Sequence, residues 1–283
     1  MKQQDELRVG VAQMAMGADR NENIAHACEL VRQAKLSDAQ VVLLPELFEG
    51  VYFPRTIDDA HFALATSVED SPAIVALAAL CKELQVVVPV SFFERDGDRY
   101  FNSVVMLDAD GVQVGRYRKT HIPDGAGYEE KHYFEPGDTG FVVFDTRYGR
   151  IGVGICWDQW FPECARAMTL MGAEVLLYPT AIGSEPMAPH RDTRAPWRRV
   201  MQGHAVANTI PVAAANRVGD ENGQRFYGTS FVCDGYGEIC AELDDHEEGV
   251  RVVTFSRKQL AIEREWMGLV LDRRPECYGA LTK

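Results

Sequence analysis

Three residues able to do chemistry each stand where a buried strand is expected to run out. Val41-Val42-Leu43-Leu44-Pro45 stops on the carboxylate of Glu46, and Ile151-Gly152-Val153-Gly154-Ile155 stops on the thiol of Cys156. Between them, Arg116-Tyr117-Arg118 leads into the ammonium of Lys119, followed by Thr120-His121-Ile122-Pro123. Short continuous apolar runs bounded by breakers read as buried strands. Strand ends that deliver a nucleophile, a base and a cation to one rim are suited to covalent hydrolysis of a carbonyl compound. In that scheme Cys156 attacks, Glu46 takes its proton, and Lys119 with the backbone N–H of Trp157 holds the oxyanion. Burial raises a carboxyl pKa, which suits Glu46 to work as a base near neutral pH. A thiol just ahead of the helix that Pro162 opens would feel the helix dipole and free N–H groups, which favour the thiolate.

Taken singly, each residue has a blander account. A cysteine in an apolar pattern is usually a buried structural thiol, and Cys28, Cys81, Cys164, Cys233, Cys240 and Cys277 are read that way. An isolated Glu commonly closes a salt bridge, and Lys119 beside Arg116 and Arg118 has the composition of a solvated face. Cys156 with His121 would make a protease-like dyad, but the local Cys and His signatures of those families are missing.

The elements that must position these residues alternate in kind. Strands are expected at 7–14, 41–44, 86–93, 102–107, 112–117, 141–145, 150–155, 174–178, 211–215 and 229–233. Asp108-Ala109-Asp110-Gly111 and Thr146-Arg147-Tyr148-Gly149 read as hairpin turns. Helical spacing covers 21–36, with Ile24, Ala27, Cys28, Val31 and Ala34 on one face, and 194–208, with Trp197, Met201, His204 and Asn208. Ser71-Pro72 and Pro162 open two more helices. Strands alternating with helices, interrupted by hairpins, give an α/β fold with a mixed sheet. No repeat, linker or low-complexity tract divides the chain, so 1–283 reads as one domain with an irregular tail at 268–283.

Composition narrows the function classes. Of 283 residues, 46% are hydrophobic and 25% charged, the balance of an ordinary folded domain. The net charge of −13 argues against a nucleic-acid partner and against anionic membranes, and suits a cationic substrate. The polar start, Met1-Lys2-Gln3-Gln4-Asp5-Glu6, and the lack of an apolar stretch of about 20 residues point to neither a secretory signal nor a membrane span. Seven scattered cysteines without a Cys-x-x-Cys pair fit a reducing compartment, hence a cytoplasmic location. No cofactor and no metal are expected, because the histidines do not cluster and Gly152 and Gly154 suit a closely packed strand rather than a dinucleotide turn.

Together, Leu44-Pro45-Glu46, Lys119-Thr120-His121-Ile122-Pro123, Gly154-Ile155-Cys156-Trp157-Asp158 and the segment Tyr128-Glu129-Glu130-Lys131-His132-Tyr133-Phe134-Glu135-Pro136-Gly137 resemble the nitrilase superfamily of carbon–nitrogen hydrolases. The resemblance implies a four-layer α-β-β-α sandwich and a Glu-Lys-Cys triad at Glu46, Lys119 and Cys156. It also implies a second glutamate, placed at Glu130 rather than Glu129 because Glu130 directly precedes Lys131-His132-Tyr133-Phe134, where it would orient Lys119 or the leaving group. Tyr52 and Asp158 are expected to meet the substrate. Relatives of this kind form homo-oligomers, and the tail is expected to cross onto a partner near the helix faces at 164–171 and 197–208.

Two further stretches, 178–186 and 197–205, together with Asn216-Arg217-Val218-Gly219, resemble the N-carbamoylputrescine amidases of that superfamily; Met187-Ala188-Pro189-His190 does not match. The implied substrate is a small ureido compound with an ammonium at its far end, for which Glu185 is the expected carboxylate. Carbamoyl amino acids, such as N-carbamoyl-β-alanine or N-carbamoyl-D-amino acids, would instead need a cation, with Arg198 or Arg199 nearest. A general aliphatic amidase and a catalytically idle binding module are the remaining alternatives; the presence of all three triad residues weighs against the latter.

Overall fold

Neighbouring residues on the same strand enter different cores, and that alternation builds the layers. In the computed structural model, which describes residues 5–185, 188 and 190–282, Val41 and Leu43 join one buried cluster while Val42 and Leu44 join another. Likewise Leu177 faces the first cluster and Leu176 and Tyr178 a third. Period-two alternation with both faces buried is the signature of a sheet sandwiched between two layers.

The first half of the chain runs β1 (Glu6–Gln13), α1 (Arg20–Leu36), β2 (Val41–Leu43), α2 (Pro72–Leu84), β3 (Val88–Asp96), β4 (Arg99–Leu107), β5 (Gln113–Arg118) and the single turn α3 (Glu130–Tyr133). The second half runs β6 (Val143–Thr146), β7 (Gly149–Val153), α4 (Pro162–Leu170), β8 (Val175–Thr180), α5 (Arg194–Asn208), β9 (Val212–Asn216), β10 (Val218–Glu221), β11 (Gln224–Tyr227), β12 (Phe231–Cys233), β13 (Ile239–Glu242), β14 (Gly249–Ser256) and α6 (Arg257–Met267). One sheet joins β14-β1-β2 to β3-β4-β5 through a bridge between Val41 and Val87; the other has the order β13-β12-β9-β8-β7-β6. Their facing sides share the central cluster, in which Val9, Val11 and Met106 meet Val153, Leu177 and Ala213. Helices α1 and α2 cover the outer side of the first sheet, and α4 and α5 that of the second. This is the expected four-layer sandwich.

Local signals act as their chemistry dictates. Ser71 caps α2 by accepting from the Ile74 N–H, and the turns at 108–111 and 146–149 close the β4–β5 and β6–β7 hairpins. Helix α5 keeps the limits that its spacing gave. The hairpin of β10 and β11, strands β13 and β14 and helix α6 lie outside the expected elements. The β10–β11 hairpin carries Asp220, Glu221, Gln224 and Arg225, and most of β14 is half-buried, so neither shows an apolar period. Among the described residues no helix is long and apolar enough to cross a membrane. A fourth apolar cluster includes Leu47, Tyr52, Phe53, Phe93, Tyr133 and Phe226, and Tyr128, which lines the site described next, packs against it.

Candidate active site

Lys119 is the first residue after β5, and its backbone is held on both sides. Its N–H donates to the Asn102 carbonyl at 2.8 Å, and its carbonyl accepts from the Gly137 N–H at 2.8 Å. A side chain on Gly137 would come within 2.1 Å of the Arg118 carbonyl oxygen, so this close approach needs glycine. The Lys119 side chain is fully buried, with Nζ 2.9 Å from Glu46 Oε1 and 2.6 Å from Glu130 Oε2. Asn102 Nδ2 donates to the same Glu46 oxygen at 2.7 Å, whereas Glu46 Oε2 has no hydrogen-bond partner among the described residues.

Cys156 lies three residues past β7 and opens a short 3-10 turn, Cys156–Trp160. Its φ of +40° falls in the left-handed region, uncommon for a side chain bearing a Cβ. Asp158 fastens that turn: Oδ2 accepts from the Ile155 N–H at 2.9 Å and from Tyr117 at 2.7 Å, while Oδ1 accepts from the His121 N–H at 3.0 Å. Gln159 ties the turn to α5, its side-chain oxygen accepting from Trp197 Nε1 at 2.8 Å and its backbone carbonyl lying 2.7 Å from His204 Nε2. The Trp197 and His204 positions singled out by helical spacing therefore brace the cysteine turn from behind.

Burial and charge set the proton positions. Burial pushes the Cys156 thiol well above its ordinary value, Glu46 and Glu130 push it further, and Lys119 opposes them. The expectation of a thiolate favoured by the following helix is thus corrected, because the 3-10 turn separates Cys156 from α4 and desolvation dominates. Burial likewise lifts the Glu130 carboxyl, to about 7, against the pull of Lys119. For Lys119 the cost of burial is outweighed by Glu130 and Glu46, which hold its pKa above the usual lysine value.

A cavity of about 440 Å³ opens onto this cluster, within the ordinary range of roughly 300–1,000 Å³ for small-molecule sites. Cys156 and Glu130 lie at its inner end; Trp157, Trp160, Tyr128, Ile182, Asp124 and Glu185 line the rest. Of the expected site residues, Glu46, Lys119 and Glu130 are hydrogen-bonded together, and Cys156, Glu130, Trp157 and Glu185 share the cavity. The Glu129–Glu130 ambiguity resolves at Glu130, which faces Lys119.

Two expected substrate contacts are corrected. Asp158 is buried with Oδ2 taken by Ile155 and Tyr117 and Oδ1 by His121, and Tyr52 points its hydroxyl at Glu130 Oε1, 2.5 Å away, instead of lining the cavity. His121 Nδ1 lies 2.7 Å from Asp158 Oδ1 and its ring stacks on Phe161 at 3.6 Å, so it is committed away from the thiol. Arg198 and Arg199 line a separate cleft with Asp192, Glu242 and Asp245, where Arg198 pairs with Glu242. Met187 and Pro189 of the unmatched loop, and Pro186 just before it, lie outside the described residues. Sequence reasoning missed Asn102 and Tyr128; neither closes an apolar run, and only the pairing of β4 with β5 brings Asn102 beside Lys119. Among the described residues no group of three or more His, Cys, Asp or Glu is placed to hold a metal ion.

The sequence pattern of carbon-nitrogen hydrolases matches residues 8–262. The chain belongs to the carbon-nitrogen hydrolase family. It is therefore a hydrolase of the nitrilase superfamily acting on a linear amide-type bond. Within this family it is 50% identical to an N-carbamoylputrescine amidase of Arabidopsis thaliana over 98% of this chain and 95% of that one. It is 46% identical to a citrullinase of Francisella tularensis over 98% of both chains. A carbon-nitrogen hydrolase of Helicobacter pylori shares the architecture with a TM-score of 0.92 and 36% identity, covering 98% of this chain and 99% of that one.

Proposed function

We propose that this carbon-nitrogen hydrolase hydrolyses the ureido group of N-carbamoylputrescine to putrescine, ammonia and carbon dioxide. The observation that carries the mechanism is Lys119 locked between Glu46 and Glu130 while Glu46 Oε2 is left without a partner beside a buried thiol. Because the resting thiol is protonated, Glu46 Oε2 takes its proton as sulfur attacks the ureido carbon. Lys119 Nζ and the Trp157 N–H hold the oxyanion; the first N–H groups of a helical turn have no acceptor inside it. Glu46 passes the proton to the departing nitrogen and ammonia leaves, with an S-alkylthiocarbamate on Cys156. Glu46 then activates water, which releases an N-alkylcarbamic acid that falls apart to amine and carbon dioxide.

The substrate assignment rests on the mouth of the cavity and on the amidases this chain resembles. Glu185 lines the cavity, half-buried, and its carboxyl is lifted by burial against the pull of Arg191. A substrate ammonium there would favour the charged carboxylate, a charged hydrogen bond contributing about 1.5–3 kcal/mol. The similarity to a citrullinase supplies the second reading, since L-citrulline carries the same ureido group with an amino-acid end. Comparing kcat/KM for N-carbamoylputrescine, L-citrulline, N-carbamoyl-β-alanine and N-carbamoyl-D-amino acids decides between them. The proposal expects the diamine compound to lead by an order of magnitude or more; a carboxylate-bearing substrate leading by that margin overturns it.

We also read 1–283 as a single cytoplasmic domain that works as a homo-oligomer. Supporting this are the exposed apolar side chains on the outer layer and tail, with Trp266 76% and Leu271 80% exposed and Leu170, Met171 and Val206 alongside. A monomeric mass at full activity would contradict it.

A further inference from the structure

A second buried ion pair sits behind the first, made by side chains the chemistry above does not use. Arg217, between β9 and β10, is wholly buried, and its Nη1 lies 2.7 and 2.9 Å from the two carboxylate oxygens of Glu221. Its Nη2 donates to the carbonyls of Glu46 at 2.9 Å and Leu47 at 3.0 Å, and Nη1 also reaches the Gly50 carbonyl at 3.3 Å. Those carbonyls belong to a strained turn, because Leu47 holds a φ of +49° directly after Glu46. The same Glu221 accepts the backbone N–H of Tyr52 at 2.5 Å, and the Tyr52 ring lies 5.5 Å from the guanidinium. Tyr52 in turn donates its hydroxyl to Glu130 at 2.5 Å.

We infer that the Arg217–Glu221 pair is a positioning device that fixes the two carboxylates flanking Lys119 relative to each other, Glu46 through its backbone and Glu130 through Tyr52. A planar guanidinium is suited to this work because its fork can hold a carboxylate and two carbonyls at once, which an ammonium cannot do in fixed geometry. Burying such a pair is costly unless the remaining donors and acceptors are filled. Here Arg217 Nη1 and Nη2 and a Glu221 oxygen find further partners on the 46–52 segment, which carries Glu46 and Tyr52, while Arg217 Nε has none among the described residues. Lys119 thus keeps one side on Glu46 Oε1, leaving Oε2 free.

The test compares Glu221→Gln, Glu221→Asp and Tyr52→Phe with the parent enzyme by kcat, KM, the pH dependence of kcat and thermal midpoint. Loosening the carboxylates lowers kcat about 10- to 100-fold in Glu221→Gln with KM nearly unchanged, the scale of a misplaced catalytic group. Tyr52 is one of the contacts that hold the Glu130 carboxyl down. Losing its grip moves the acidic limb of the kcat profile to higher pH in all three variants. Removing the Glu221 charge without moving Tyr52 would instead strengthen the Arg217 field and move that limb to lower pH. The Glu221→Gln, Tyr52→Phe double variant is no worse than the poorer single one, because both act through one chain of contacts. A parent-like kcat profile in Glu221→Gln or Glu221→Asp, or a limb displaced downward, overturns the inference, even if the thermal midpoint falls. The inference rests on the Glu46–Lys119–Cys156 reading, and Cys156→Ala in the same assay separates the two. Turnover surviving that substitution removes the reading, whereas a dead Cys156→Ala beside parent-like Glu221 variants removes only the inference.

Discussion

On the floor of the cavity, Glu46, Lys119 and Glu130 are fully buried and every charged group has at least one partner at 2.9 Å or less. At the mouth, Trp157 is 39% exposed and Glu185 is half-buried. The floor is held by three strand ends and by braces from α5, Asn102 and Gly137, so small displacements there meet resistance from several directions. The mouth can exchange side chains without moving a strand. The proposed chemistry therefore draws on both sheets together, and the proposed substrate choice on a few groups near the opening.

The largest effects should come from the floor. Cys156→Ala is expected to lower turnover by more than about 10⁴-fold while the thermal midpoint stays near that of the parent, as measured by ammonia release and thermal unfolding. Glu46→Gln should cost roughly 10²–10⁴-fold in kcat, the usual span for a general base. Gly137→Ala touches no substrate, yet it presses on the Arg118 carbonyl. It should destabilise by about 1–3 kcal/mol and lower kcat with Lys119 displaced, which unfolding and kinetics on one sample would show together.

The pH response sharpens the same contrast. Glu130 is the floor carboxyl that burial lifts to about 7, so its charge, and the hold on Lys119, is lost as pH falls through that region. The kcat profile should carry an acidic limb there, and Glu130→Gln should remove it along with much of the activity. The Cys156 thiol, raised by burial, should resist alkylation by iodoacetamide at neutral pH and react faster as pH rises past the ordinary thiol range. Rapid alkylation at pH 7 in the resting enzyme would contradict the neutral-thiol account.

Mouth substitutions should be milder. Glu185→Gln is expected to raise KM for N-carbamoylputrescine about 10- to 100-fold with little change for a neutral N-alkylurea of similar length. Equal effects on both would show that Glu185 does not meet the ammonium. Arg198→Ala and Arg199→Ala, whose side chains line the separate cleft, should leave kcat/KM within about twofold for every ureido substrate, as surface changes usually do. Activity should also survive exhaustive chelation; loss restored by an added metal would break the cofactor-free scheme.

What the sequence disclosed follows the same division. Glu46 and Cys156 were legible because each follows a strand whose burial shows as an apolar run, and Lys119 because it follows the second strand of a hairpin and sits in the Lys-x-His-x-Pro segment. The alternation of strands and helices gave the α/β class. The four layers came only through the family resemblance, since periodicity does not say which sheets face each other. Asp158 and Tyr52 were misread as substrate contacts because a polar residue beside a nucleophile looks the same whether it faces the cavity or the turn behind it. The thiol's proton was misplaced because desolvation depends on the whole enclosure, including α5 and the aromatic cluster, and no local spacing encodes that. His121 also could not be excluded by spacing, because residues two apart on an extended strand share a face. The chain leaves β5 at Arg118, and Asp158 then claims the imidazole.

The central claim is that Cys156 carries a covalent intermediate formed by loss of ammonia before water attacks. Rapid quench of the enzyme turning over N-carbamoylputrescine, followed by peptide mass spectrometry, tests it directly. The account predicts an adduct on the Cys156 peptide whose mass is that of the substrate less ammonia, absent in Cys156→Ala. An adduct equal to the carbamoyl group alone, an adduct on another cysteine, or full turnover with no adduct at any quench time would contradict it.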